Sequence, residues 1–161
     1  MATSDWVAFY DVDEFIVPHS ATYWPEMLLE LDKPSRCAFQ FQSAFYDPSR
    51  ATDSFVSQVG LRLNAFGAVT RTSNFVRART KCMVKPYLIF EKGIHHVSKP
   101  IWASLEVVVV EPVVAYLHHY RACSNGMGAV CFGEVEDKCM MRYKEKVVEG
   151  LLDARKNILH L

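Results

Sequence analysis

The chain shows no excess of either charge: its 161 residues carry 18 Lys and Arg against 18 Asp and Glu. Nucleic-acid binders usually carry a basic surplus that neutralises phosphates, so that class recedes. There is also no run of about 20 apolar residues, the length that crosses a bilayer as a helix. The longest apolar stretch, Leu105 to Leu117 (LEVVVVEPVVAYL), is broken by Glu106, Glu111 and Pro112. The opening MATSDWVAFYDVDEF lacks a basic region, an apolar run and a small-residue cleavage site, and does not read as a signal peptide. Taken from Met1 alone, the chain is expected to stay soluble in the cytosol unless another segment precedes it. No Cys-x-x-Cys pair occurs, which removes zinc ribbons and thioredoxin-like motifs. No Asn-x-Ser/Thr acceptor occurs either. Five cysteines are an odd number, so at least one thiol is free or pairs outside the chain. Buried free thiols are the simplest reading. The even spacing of Cys123, Cys131 and Cys139 is a weak hint of something more.

What is present is a globular composition. Half the residues are apolar and 22% are charged. That is enough to bury a core and argues against disorder, collagen and coiled coil. The length suits one domain, residues 1–161.

The neutral total hides an asymmetry. From Asp5 to Asp32 there are seven acids and no Lys or Arg; from Arg62 to Lys92 there are seven basic residues against Glu91 alone. Across a shared cleft the two segments would suit a metal ion and a phosphate. Apart, they are two solvated surfaces.

The pattern predicts a mixed strand and helix fold. Trp6 to Tyr10 reads as a short buried strand ending at the acidic cluster. Tyr23 to Leu31 has helical spacing, with Pro25 suited to a first turn. Cys37 to Phe45, Phe75 to Val84, Leu105 to Val110 and Val113 to Tyr120 read as extended. Asp137 to Leu159 reads as an amphipathic helix with Met140 and Met141 packed beneath it.

The sharpest signal is VAFYDVDEFIVP, Val7 to Pro18. Residues two apart on a strand share a side, so Asp11 and Asp13 can converge. Two carboxylates held together repel unless a cation sits between them. At a strand end they would seat Mg²⁺ or Mn²⁺, which in turn would hold a diphosphate. Two enzyme classes place this motif after an apolar strand. Haloacid-dehalogenase-type phosphohydrolases do so, but they need a further acidic pair and a Thr where this chain has Phe15. Nucleotide-sugar glycosyltransferases of the GT-A fold do so as well, often with a distant His completing the metal shell. Leu117 to Arg121 (LHHYR) offers such a His beside an Arg, and Gly93 to Val97 (GIHHV) holds a second His pair. Mn²⁺ accepts mixed carboxylate and imidazole ligands. Taken singly, each of these features also has a purely structural reading, notably partly buried, satisfied histidines for His96 and His118. Arg77, Arg79 and Lys81 fit either an anion site or a charge-protected edge strand.

Four blocks in order resemble glycosyltransferase family 92: WVAFYDVDEFIVP (Trp6 to Pro18), KCMVKP (Lys81 to Pro86), GIHHV (Gly93 to Val97) and HYR (His119 to Arg121). FQFQSAFY (Phe39 to Tyr46) is similar to that family's middle strand, and the resemblance covers Asp5 to Leu161. It implies an α/β fold with a GT-A-like mixed sheet flanked by helices. It also implies that Asp11, Asp13 and His119 hold Mn²⁺ (or Mg²⁺), while Lys81 and Arg121 face phosphate or sugar oxygens and His95 lies near donor or acceptor. The implied reaction moves a hexose, galactose in the family's studied members, from a UDP-sugar to a glycan or glycoprotein acceptor in the Golgi, with inversion. Inversion calls for a carboxylate base; Asp47 is the first candidate and Glu106 the second. Only ten residues precede Asp11, whereas each βαβ unit needs about 30. The resemblance therefore implies an incomplete domain, lacking its N-terminal nucleotide-binding half and its membrane anchor. A non-catalytic remnant of the same fold, serving as an interaction module, is the alternative.

Overall fold

The computed structural model describes residues 5–52, 54–123 and 132–159. Strand β1 (Val7–Phe9) runs into the acidic turn and β2 (Glu14–Pro18) leaves it. Helix α1 (Trp24–Leu31) and the long strand β3 (Arg36–Phe45) follow. Four short elements come next: β4 (Phe55–Val56), β5 (Leu61–Arg62), α2 (Asn64–Gly67) and β6 (Thr70–Arg71). Then come β7 (Val76–Val84), β8 (Ile89–Lys92), β9 (Val97–Pro100), β10 (Glu106–Val110) and β11 (Ala115–His119). The order ends with β12 (Val135–Glu136) and α3 (Lys144–Leu159).

The main sheet is mixed and runs β1-β7-β3-β11-β2, with β10 also on β3. β10 and β11 occupy successive stretches of one edge of β3. Val107–Val110 run parallel beside Ala38–Phe41, and Leu117–His119 beside Ser43–Phe45. Pro112, which has no N–H to give a ladder, sits in the turn between them. β4–β5, β6–β12 and β8–β9 form separate two-stranded ribbons.

β1 and β2 lie at opposite ends of this order, yet only residues 10–13 separate them. Four strand spacings in a flat sheet would be about 19 Å. The connection is a tight turn, with Glu14 N donating to Asp11 O at 3.1 Å. The sheet therefore curls and brings its two outer strands together at the acidic turn. The pairing of β3 with β7 shifts register between Phe41 and Ser43, an irregularity that adds twist.

One face of the sheet carries the main core: Ile16, Phe39, Phe41, Met83, Leu117 and Val110, with Met27 of α1 seated on it. Each fully buried side chain of this size contributes roughly 1.5–3 kcal/mol. Helix α1 begins where Glu26 Oε2 accepts from the Thr22 and Tyr23 amides at 2.9 and 3.2 Å. Trp24 anchors it, donating from Nε1 to Ile16 O at 2.8 Å. The other face carries Ala44, Tyr46, Tyr116 and Tyr120, covered by Ala65, Phe75 and Met140.

Three expectations need correction. β1 is not buried: it is an outer strand, and Val7 and Phe9 are 39% and 44% exposed. The C-terminal segment is not one helix from Asp137, because Cys139–Tyr143 form a 3-10 turn before α3 begins. Met140 packs beneath the sheet, but Met141 is exposed and the apolar side of α3 is only half-buried. Helices also flank the sheet less fully than expected. α1 covers one face, while the other is closed by the single turn of α2, the Phe75 loop and the 3-10 turn. Among the described residues no helix is long and apolar enough to cross a membrane.

Candidate functional site

The DVDE turn is built by its own last residue. Glu14 is 1% exposed, and its Oε2 accepts from the Asp11 amide at 2.8 Å. The same oxygen lies 3.2 Å from Lys81 Nζ, which β7 presents from the strand beside β1. Lys81 also donates to Asp11 Oδ2 at 3.0 Å. Burial alone would lower the Lys81 pKa, but hydrogen bonds and charge from Asp11 and Glu14 outweigh it and raise the pKa. The Lys81 bond in turn holds Asp11 below the usual carboxylate value. Val12 stands at the apex of the turn, 99% exposed.

His119 reaches the turn from β11, where it lies opposite Glu14 in the register. Its Nε2 is 3.6 Å from Asp13 Oδ2, and its ring stacks on Phe45 with centroids 4.9 Å apart. Burial keeps the imidazole below its ordinary pKa, against the pull of Glu14 and Asp13. The neutral ring near pH 7 is the form that ligates metals. Tyr120 N donates to Asp13 O at 2.8 Å and fixes the turn against the strand. Phe45 and His119 end β3 and β11, which run parallel, so the site sits at the carboxyl ends of parallel strands.

The structure thus brings Asp11, Asp13, Lys81 and His119 together with Glu14. Asp13 and His119 suit a shared divalent cation, whereas the Asp11 carboxylate is engaged by Lys81. The acidic and basic segments do meet, here and again where Lys85 Nζ contacts Asp32 Oδ1 at 2.7 Å. They meet through ion pairs, and Asp11 with Lys81 and Lys92 also lines a small cleft between the two segments. Lys81 is not on an outer strand either, since β7 lies between β1 and β3.

His95 sits in the turn of the β8–β9 ribbon. Its Nδ1 is 3.1 Å from Thr80 O and its Nε2 3.4 Å from Arg79 Nη1. Gln40 and Thr80 both donate to the His95 carbonyl, pinning the turn to β3 and β7. Arg121 is exposed one turn beyond His119. Asp47 caps the 3-10 turn Pro48–Arg50, where Oδ1 accepts from Ser49 N at 2.9 Å and from Ser49 Oγ at 2.7 Å. Those bonds hold its carboxyl below the usual value. Glu106 accepts from Ser35 and pairs with Arg36 at the start of β3.

Two clefts flank the turn. The larger, of about 910 Å³, has Asp13 on its wall and aromatic sides from Tyr23, Trp24, Phe66, Tyr120 and Tyr143. The smaller, of about 520 Å³, takes Asp11, Lys81 and Lys92. The chain matches the family described as Glycosyltransferase family 92 over residues 1–156. It belongs to glycosyltransferase family 92. This family-92 chain is thereby placed among transferases that move a sugar from a donor to an acceptor, and the phosphohydrolase alternative loses its footing. No curated protein matches the family-92 chain significantly.

Sequence reading missed the structural weight of Glu14, which looked like an extra acid beside the motif. It also missed a second cluster across β11: His19, His118, Asp137 and Cys139, whose ligand atoms all lie within 4.8 Å of one another. His118 is fully buried, as a packed histidine would be, but it belongs to that cluster. The sequence signal was faint: a His pair, and an Asp and a Cys two residues apart. Cys123 is disulfide-bonded, and Cys37, Cys82 and Cys139 are free thiols. Cys131 lies outside the described residues.

Proposed function

We propose that this chain carries the catalytic site of a GT-A-like, metal-dependent glycosyltransferase that moves a hexose, galactose by family resemblance, from a UDP-sugar to a glycan or glycoprotein acceptor, with inversion. The observation that carries the reading is the approach of the buried His119 Nε2 to Asp13 Oδ2, 3.6 Å, where Asp13 itself lines an aromatic cleft. Asp13 and His119 would hold the Mn²⁺ (or Mg²⁺), with Asp11 on the same turn. When bound, the cation would neutralise charge that develops on the departing diphosphate. Lys81 and Glu14 position the turn, and Arg121 supplies an exposed cation for phosphate oxygens. His95, held in the β8–β9 turn by Arg79, Thr80 and Gln40, would lie near the donor or acceptor. Aromatic rings in the larger cleft offer stacking faces for a sugar acceptor. Asp47 is the proposed general base, ionised as a base must be. The setting proposed for this activity is the Golgi, with membrane attachment by a segment other than those described.

The test is the melting temperature of wild-type chain and Asp13→Ala with UDP and Mn²⁺. A ligand that binds only the folded state raises stability by RT ln(1 + [L]/Kd). A metal-dependent rise, lost in Asp13→Ala, is expected. A cooperative melt that UDP and Mn²⁺ leave unmoved in the wild type would instead favour a non-catalytic interaction module.

A further inference from the structure

On the opposite side of β11 from His119, three lone-pair donors face one point. Successive residues of a strand point to opposite faces. His119 therefore turns to the DVDE site, and His118 turns to the face lined by Tyr46 and Tyr116. His118 Nε2 lies 3.3 Å from His19 Nε2 and 3.5 Å from Cys139 Sγ, and His19 Nε2 lies 3.7 Å from the same sulfur. A tetrahedral zinc ion with Zn–N near 2.0–2.1 Å and Zn–S near 2.3 Å would set its ligand atoms apart by roughly 3.3–3.4 Å for N···N and about 3.6 Å for N···S. The three separations in the protein match that triangle. Asp137 supplies the fourth donor, all four lying within 4.8 Å of one another.

The surroundings also suit a metal. Asp137 is oriented by several donors: Tyr46 Oη at 2.9 Å, the Tyr116 hydroxyl, and Cys139 N at 2.9 Å on its other oxygen. Arg71 Nε lies 3.4 Å from Asp137 Oδ2. Such outer partners fix a ligating carboxylate and balance the site's charge. His19 stacks on Tyr116 and His118 on Tyr46, at 4.2 and 4.6 Å between centroids, which locks both imidazole planes. His118 is fully buried while the other three ligands are half-buried, so an ion has a way in.

The geometry points to a structural zinc site formed by His19, His118, Asp137 and Cys139, separate from the proposed donor site. Two imidazoles, one thiolate and one carboxylate form a ligand set that favours Zn²⁺ over Mg²⁺, Ca²⁺ or Mn²⁺. With four protein ligands it is closed, as structural sites are. It joins the end of β2, β11 and the segment that leads into α3. On binding, the Cys139 thiol gives up its proton to solvent, and the ion takes the sulfur lone pair.

The full chain is purified, stripped with a chelator, reloaded with Zn²⁺ and passed through a desalting column before metal analysis. About one zinc per chain is expected, with a higher melting temperature than the stripped protein. Co²⁺ in its place should show the visible bands of a tetrahedral ion and a near-ultraviolet thiolate charge-transfer band. Cys139→Ser should lose that charge-transfer band and weaken zinc binding at least tenfold. Asp13→Ala should keep zinc, the bands and the melting shift, which separates this site from the donor site. His19→Ala, which alters a half-buried residue, provides a second variant should Cys139→Ser fold poorly, and it too should lose zinc. A folded wild-type chain that retains no zinc and gives no cobalt bands overturns the inference. So does zinc that persists in Cys139→Ser and His19→Ala but disappears in Asp13→Ala.

Discussion

Lys81 and Glu14 meet inside the protein, Nζ to Oε2 at 3.2 Å, with side chains only 3% and 1% exposed. Neither is a surface charge, although both sit beside a solvent-facing turn. Lys81 also grips Asp11, so one ammonium sets the conformation of the whole DVDE loop. Removing one member of a buried pair leaves the other charge uncompensated, at a cost of about 3–5 kcal/mol. Lys81→Met should lower unfolding stability by that order in urea titrations. Lys81→Met with Glu14→Leu should recover part of the loss, because an apolar pair carries no desolvation debt. A double variant no more stable than Lys81→Met would show that Glu14 matters mainly through the Asp11 amide.

Asp13 is 40% exposed on its side chain and faces His119 rather than the core. Asp13→Ala should therefore melt within a few degrees of wild type while sugar transfer falls by about 10²-fold or more, the scale of lost charge stabilisation. A transfer assay beside a thermal melt separates these effects. Equal losses in fold and activity would make Asp13 a structural residue.

Asp47→Asn tests the proposed base without disturbing the turn it caps, since Asn also serves as a cap. If Asp47 takes the acceptor proton, kcat should fall by about 10²–10⁴-fold with the melting temperature nearly unchanged. Unchanged kcat would move the search to another carboxylate.

Cys82 lies buried between β1 and β3, and burial pushes its thiol up to about 11 from an ordinary value near 9. The folded pKa is above the unfolded one. Its contribution is therefore complete below pH 9 and is lost as the pH rises from about 9 to 11, by about 3 kcal/mol. The urea midpoint of wild type should drop across that window, and Cys82→Val should flatten the drop. Equal slopes for both proteins would remove Cys82 as the cause.

Gly67 and Gly150 form a matched pair. A Cβ on Gly67 would come within 2.4 Å of Thr52 O and 2.8 Å of Ser54 Cβ, whereas one on Gly150 meets nothing within 4 Å. Gly67→Ala should destabilise by about 1–3 kcal/mol and displace Phe66 from the aromatic cleft. Gly150→Ala, in an exposed stretch of α3, should stabilise by about 0.5–1 kcal/mol. Chemical denaturation of the two variants checks both signs.

Much of the DVDE site was legible because its chemistry is local: an apolar strand, a carboxylate turn and a second strand lie within Val7 to Pro18. The resemblance put His119 at that turn but set Lys81 against phosphate or sugar oxygens; the pairing of Lys81 with Asp11 and Glu14 was not legible, since no periodicity links residues so far apart. The exposure of β1 was hidden because VAFY is as apolar as a central strand, and only the strand order reveals an outer position. The His19, His118, Asp137 and Cys139 cluster was illegible for a related reason. His19 and His118 are neighbours because β2 pairs with β11, a contact across 99 residues. Asp137 escaped notice as the start of a predicted helix, although it actually precedes a 3-10 turn that aims Cys139 inward.

The curl of the sheet has a kinetic side. The turn at residues 10–13 joins strands whose partners, β7 and β11, stand on opposite sides of β3, so the pairing draws on segments spread between Arg36 and His119. Pairings so distant along the chain are slow to find, because loop-closure entropy is lost before contacts compensate for it. The acidic loop therefore has its native shape only where β2 is docked on β11 and Glu14 lies opposite His119. Nascent or partly unfolded chains would carry the same carboxylates with no common geometry, so the arrangement that Asp11, Asp13 and His119 share belongs to the folded sheet alone.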